Sequence, residues 1–96
     1  MSVTEARPSA AFATDRAWRL NPQVALRDES FGALAYHYGN RRLVFLKTRA
    51  LVTLVSSLAE YPSAEDALVA LVPDGERRAY ERALARLAAA EVIDAR

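Results

Sequence analysis

Apolar residues recur with a period of two up to Lys47 and with helical spacing after it, and this change of period fixes most of what the chain can become. Before it, Val24 and Leu26 alternate with Ala25 and Arg27, Asp28-Glu29-Ser30 and then Gly32 mark a turn, and Leu34, Tyr36 and Tyr38 alternate again up to Gly39-Asn40. The stretch Leu43 to Lys47 then carries apolar side chains in both alternating sets. Three short antiparallel strands follow from that pattern. A two-residue Gly39-Asn40 loop, with glycine first as a type II′ turn requires, sets Tyr38 opposite Arg41, Tyr36 opposite Leu43 and Leu34 opposite Phe45. One face of the sheet then carries Leu34, Tyr36, Leu43 and Phe45, and the other Ala33, Ala35, His37, Val44 and Leu46. The first, bulkier face is expected to be the core side, and a longer loop would shift the register and exchange the two faces.

After Lys47, Thr48 is placed to cap a helix whose apolar positions are Leu51, Leu54, Val55 and Leu58, ending at Pro62. Ser63 to Asp66 reads as a capping box opening a short helix with Ala67, Leu68 and Leu71, which stops near Pro73. Asp74 is expected to cap a third helix with the stripe Tyr80, Ala83, Leu84, Leu87 and Ala88, and Glu91-Val92-Ile93 leaves that helix. The expected fold class is therefore α+β: a three-stranded antiparallel sheet followed by three helices, in a layout like a winged helix-turn-helix with its sheet placed first. Ninety-six residues suit one domain with one core. Residues 1–16, "MSVTEARPSAAFATDR", read as a flexible N-terminal tail, and residues 17–96 as the domain.

The search for chemistry returns little. A net charge of +1 is small for a protein that grips phosphate backbones, so nucleic acid is an unlikely partner. With no cysteine there is no disulfide, thiolate metal site or cysteine nucleophile. No run approaches the roughly 18 to 20 apolar residues of a membrane span, and no secretory signal is evident, so a cytoplasmic protein without membrane partners is expected. His37 is the only histidine, and a lone histidine on a strand between two tyrosines is more often structural than catalytic. The carboxylates fall mostly at turns and helix ends, where capping explains them, and no metal-ligand spacing emerges. The three glycines occupy separate turns, which excludes a phosphate-cradling loop. The chain is expected to be no enzyme and to hold no cofactor.

Two features outlast the plainer readings. The strand Leu43 to Lys47 is last in the meander and flanked by Arg41, Arg42 and Lys47, so it offers an edge to which an extended peptide can add as a further strand. The plainer reading is an interior strand, or an edge covered by the N-terminal segment. Arg78, Arg82 and Arg86 recur at i, i+4 and i+8 on the third helix, beside Arg77; such a stripe can meet acidic groups on a peptide or phosphates on DNA, or be a solvated face.

The segment "RLNPQVALRDESFGALAYHYGNRRLVFLK", with "LVTLVSSL" and "ALARLAAAEVI" after it, resembles the mycofactocin biosynthesis chaperones. These are small precursor-peptide recognition elements related to the pyrroloquinoline-quinone peptide chaperone. The resemblance spans about residues 18 to 94 and is most specific over Val24 to Leu34, V-x-L-R-x-E-x-F-G-A-L. It implies a non-catalytic peptide chaperone that binds the leader of a short ribosomal precursor peptide as an added strand. It further implies that the complex is presented to a radical S-adenosylmethionine maturase, which modifies the Val-Tyr end of the precursor. Carried onto this chain, the peptide-binding residues are Leu43, Val44, Phe45, Leu46 and Lys47 on the strand and Arg78, Arg82 and Arg86 on the third helix. The competing readings are a winged-helix DNA-binding protein using the third helix in the major groove, for which the arginines speak, and a homodimer joined through the same strand edge.

Overall fold

The computed structural model describes residues 11–96. Strands β1 (Trp18–Leu20), β2 (Val24–Glu29), β3 (Gly32–His37) and β4 (Leu43–Leu46) precede helices α1 (Arg49–Ser57), α2 (Ala64–Leu71) and α3 (Arg77–Ala89), and a short β5 (Ile93–Ala95) closes the chain. The antiparallel sheet has the order β2-β3-β4, so the expected three strands followed by three helices are present. Glu29 pairs with Gly32, which leaves Ser30 and Phe31 as the turn between β2 and β3.

The second hairpin has the expected register with a different loop. Tyr36 lies opposite Leu43 and Leu34 opposite Phe45. The His37 amide donates to the Arg42 carbonyl at 2.9 Å and the Arg41 amide to the His37 carbonyl at 2.8 Å, so the loop is the four residues Tyr38 to Arg41. Arg41, not Gly39, takes the left-handed conformation, with φ 65°. Opening the loop by one residue on each side preserves the pairing, which is why the register stands although the turn type does not. His37, buried on β3, accounts for the loop: its Nδ1 accepts the amides of Gly39 at 2.9 Å and Asn40 at 3.0 Å. A methyl group on Gly39 would lie 2.8 Å from the ring Cε1 and 2.4 Å from Gln23 Oε1, so only glycine admits this approach.

The two sheet faces are exchanged relative to the expectation from side-chain bulk. Ala33, Ala35, His37 and Leu46 are buried, whereas Leu43 and Phe45 stand more than half exposed. The reason is the helical layer. α1 packs across β3, and the small Ala33 and Ala35 let it lie close to the sheet while Leu46, Leu54, Val55 and Leu58 supply the volume. Bulk on a strand therefore did not mark the core side; room for a helix did.

The helices begin largely as their sequences dictate. Thr48 Oγ1 accepts the Leu51 amide at 3.0 Å, and Ser63 Oγ accepts the Asp66 amide at 3.1 Å. Leu84, Leu87 and Ala88 of α3 are buried. Asp74 does not cap α3: it opens a 3-10 turn, Asp74–Glu76, and its carboxylate accepts Arg77 Nη1 at 3.1 Å. Arg77, which stands beside the arginine stripe in the sequence, is thereby engaged with α2. Its guanidinium donates to the carbonyls of Leu68, Val69 and Val72, satisfying the C-terminal end of α2.

A second small sheet, β1 against β5, was not expected. It pairs Trp18 with Ala95 and Leu20 with Ile93, and Arg19 bridges Asp94 with Nε to Oδ1 at 3.0 Å. That carboxylate holds the Arg19 guanidinium further above its already high pKa. Trp18 is 1% exposed and donates from Nε1 to the Ala13 carbonyl, with the Phe12 ring 5.1 Å away. Of the segment expected to be a flexible tail, residues 1–10 lie outside the described residues. Arg16 and Thr14 accept the amides of Ala64 and Glu65 at the start of α2.

Candidate functional site at the open sheet edge

β4 is an outer strand of the three-stranded sheet, and the hydrogen-bond alternation decides what its open side offers. The His37 amide bonds Arg42, while the Tyr38 amide bonds Gln23 across the other hairpin at 2.8 Å. Odd-numbered residues of β3 therefore bond β4 and even-numbered ones bond β2. It follows that Val44 and Leu46 direct their amides and carbonyls at Ala35 and Ala33, their partners. Leu43 and Phe45 direct theirs at the open edge.

Beyond that edge a groove of about 260 Å³ runs between the sheet and the helices. Val44, Phe45 and Lys47 form one wall; Leu51 of α1 and Ala83, Arg86 and Leu87 of α3 form the other. The base is aliphatic and the two charged groups at its margin, Lys47 and Arg86, are both cationic. Tyr80 OH lies 3.2 Å from Thr48 Oγ1, tying α3 to the start of α1. This arrangement can pair an extended backbone, take up an apolar side chain and attract an anionic one.

The structure distributes the sequence-derived site residues unequally. Val44, Phe45, Lys47 and Arg86 line the groove, and Leu43 stands exposed beside it. The Leu46 side chain is in the core. Arg82 is about 100° around the helix from Ala83 and Arg78 about 140°, because each four-residue step overshoots a full turn by roughly 40°. Both are exposed, and only Arg86 reaches the groove. Sequence reasoning missed Leu51, Ala83 and Leu87, whose apolar spacing was taken as core; they stand where the core meets the groove. Among the described residues no cluster of His, Asp and Glu side chains is placed to hold a metal, and no helix is long and apolar enough to cross a membrane.

The profile of the Peptide chaperone MftB family matches residues 17–94. The chain is 48% identical over 84 residues to the peptide chaperone MftB of Mycobacterium ulcerans (strain Agy99), covering 86% of this chain and 77% of that one. It is 46% identical over 86 residues to the peptide chaperone MftB of Mycobacterium tuberculosis (strain ATCC 25618 / H37Rv), covering 88% and 79% respectively. With the peptide chaperone MftB of Mycolicibacterium smegmatis it shares 44% identity over 91 residues, 94% of this chain and 89% of the relative. No solved structure gives a significant match.

Proposed function

Because the chain belongs to the peptide chaperone MftB family, non-catalytic chaperones of mycofactocin biosynthesis, we propose that it binds the leader of a short ribosomal precursor peptide as a fourth strand on β4 and presents the peptide to a radical S-adenosylmethionine maturase. The observation that carries this reading is the pairing of an open strand edge with an apolar groove. An added strand bonds the outward groups of Leu43 and Phe45, each bond contributing about 0.5 to 1.5 kcal/mol net. Its side chain opposite Val44 enters the groove toward Leu51, Ala83 and Leu87, and those opposite Leu43 and Phe45 fall on the outer sheet face. Lys47 and Arg86 attract an acidic leader, with Arg82 and then Arg78 available to acidic residues that pass beyond the groove. Main chain supplies the affinity and the groove supplies the choice. The DNA-binding reading has only the exposed Arg78 and Arg82 of α3 in its favour, and a net charge of +1 speaks against it.

Amide hydrogen exchange with a synthetic precursor peptide tests the site residue by residue. The Leu43 and Phe45 amides are expected to gain protection on peptide addition, while Val44 and Leu46, already paired with β3, change little. Protection gained only on the helices, or none at saturating peptide, sinks the strand-addition reading. Tight binding of a mixed-sequence duplex with a log-log salt slope near −0.9 per phosphate, and no response to the peptide, sinks the chaperone reading altogether.

A further inference from the structure

The outer face of the β2-β3-β4 sheet faces away from the helices, and the proposed peptide strand reaches only its β4 margin. Yet four of the five large apolar side chains that stand exposed among the described residues are on it: Phe31, Tyr38, Leu43 and Phe45, at 44%, 64%, 56% and 55% exposure. They are not scattered. Phe31 meets Phe45 edge-on with ring centroids 5.9 Å apart, and Tyr36 meets Tyr38 in the same way at 5.1 Å. Half-buried Leu34 stands on the same face. A contiguous aromatic patch of this kind on a small domain marks an interaction surface.

The charges around the patch narrow the choice of partner. Arg27 and Glu29 neutralise each other, with Nε to Oε2 at 3.2 Å. Arg41, in the loop with Tyr38, and Lys47, just past β4, are in no ion pair among the described residues, so the rim is net basic. A second copy of the chain would bring the same basic rim against itself, which like-charge repulsion opposes. The patch is also continuous with the peptide edge: Leu43 and Phe45 turn their side chains onto this face and their main chains toward the peptide. A strand added there extends the same surface.

We propose that this outer face is the seat of the protein that takes over the peptide, through an apolar surface bordered by acidic side chains. The inference rests on the chaperone reading above and identifies that acceptor with its maturase. A partner seated here touches chaperone and peptide together without entering the groove, so handover needs no prior release.

The test uses two variants that leave β4 and the groove lining unaltered, Phe31→Ser/Tyr38→Ser and Arg41→Glu, each first shown to melt like wild type. Calorimetry is run with the synthetic precursor peptide and, separately, with the purified radical S-adenosylmethionine maturase added to the chaperone-peptide complex. Both variants are expected to bind the peptide with wild-type affinity. Affinity for the maturase should fall at least tenfold for the aromatic double variant and several-fold for Arg41→Glu, the latter difference shrinking in high salt. Unchanged maturase affinity in both variants overturns the proposal while leaving peptide binding intact. Three other results also overturn it: loss of peptide binding in the same variants, a wild-type dimer that the double variant breaks, or wild-type binding to phosphatidylglycerol vesicles that the double variant abolishes. Failure of wild type to bind the peptide is the separate result that sinks the chaperone reading.

Discussion

At Gly32 a methyl group built onto the α-carbon would lie 2.2 Å from the Leu46 carbonyl oxygen and 3.1 Å from the Thr48 amide nitrogen. Both atoms are backbone, so no side-chain rotation relieves the contact. Gly32→Ala must push the end of β4 and the start of α1 away from β3, and it is expected to cost about 2 to 4 kcal/mol, most of it measurable as a lower urea midpoint. A midpoint within about 0.5 kcal/mol of wild type in free energy would show that the β4 end yields freely. From the sequence Gly32 was legible only as a turn residue. The atoms that demand glycine belong to residues 46 and 48, and a constraint from so far along the chain is invisible until the strands pair. His37 was legible as structural, by the absence of partners for catalysis, but its role as acceptor for the Gly39 and Asn40 amides depends on a ring orientation that only the folded hairpin supplies. Arg77, legible from the sequence only as a neighbour of the arginine stripe, secures the end of α2.

Among the elements, β4 has the sharpest internal asymmetry, because adjacent residues direct their amides to opposite sides. Val44→Pro removes a donor to β3 and is expected to destabilise the sheet by about 3 kcal/mol or more. Phe45→Pro removes a donor from the open edge, where proline is tolerated, and is expected to leave the thermal midpoint nearly as it is in Phe45→Ala. Relative to Phe45→Ala, which keeps the donor but also loses the ring, Phe45→Pro should weaken peptide binding about tenfold, the equivalent of one strand hydrogen bond at about 1.4 kcal/mol. Melting curves and peptide titrations of the three variants check both halves; a Phe45→Pro protein that binds like Phe45→Ala places the peptide elsewhere. Strand positions and register were readable from alternation and hairpin spacing, since both are local. The face that meets the core was not, because it depends on which side the helices occupy. The arginine stripe of α3 looked continuous at four-residue spacing, yet the helical drift brings only Arg86 to the groove.

At the scale of the whole molecule, the two ends of the domain hold each other. β5 pairs with β1, Ile93 is fully buried, and the Arg96 guanidinium donates to the carbonyls of Ala59 and Tyr61 after α1. Removing residues 93–96 takes away the β1 ladder, a core side chain and this clamp together. The truncated chain is expected to lose its cooperative urea transition, followed by the fluorescence of Trp18, which sits on the partner strand. A sharp transition at the wild-type midpoint would show that β1 and β5 are ornament to a core that stands without them. The sequence by itself determined the order of the three hairpin strands and the three helices, the hairpin register, the caps at Thr48 and Ser63 and the strand at Leu43 to Leu46, because each depends on residues within a few positions of one another. Tertiary structure alone decided which sheet face is buried, which arginine lines the groove and why an aromatic surface is left in water. Those outcomes depend on where one layer comes to rest on another, and no local period along the chain encodes that distance.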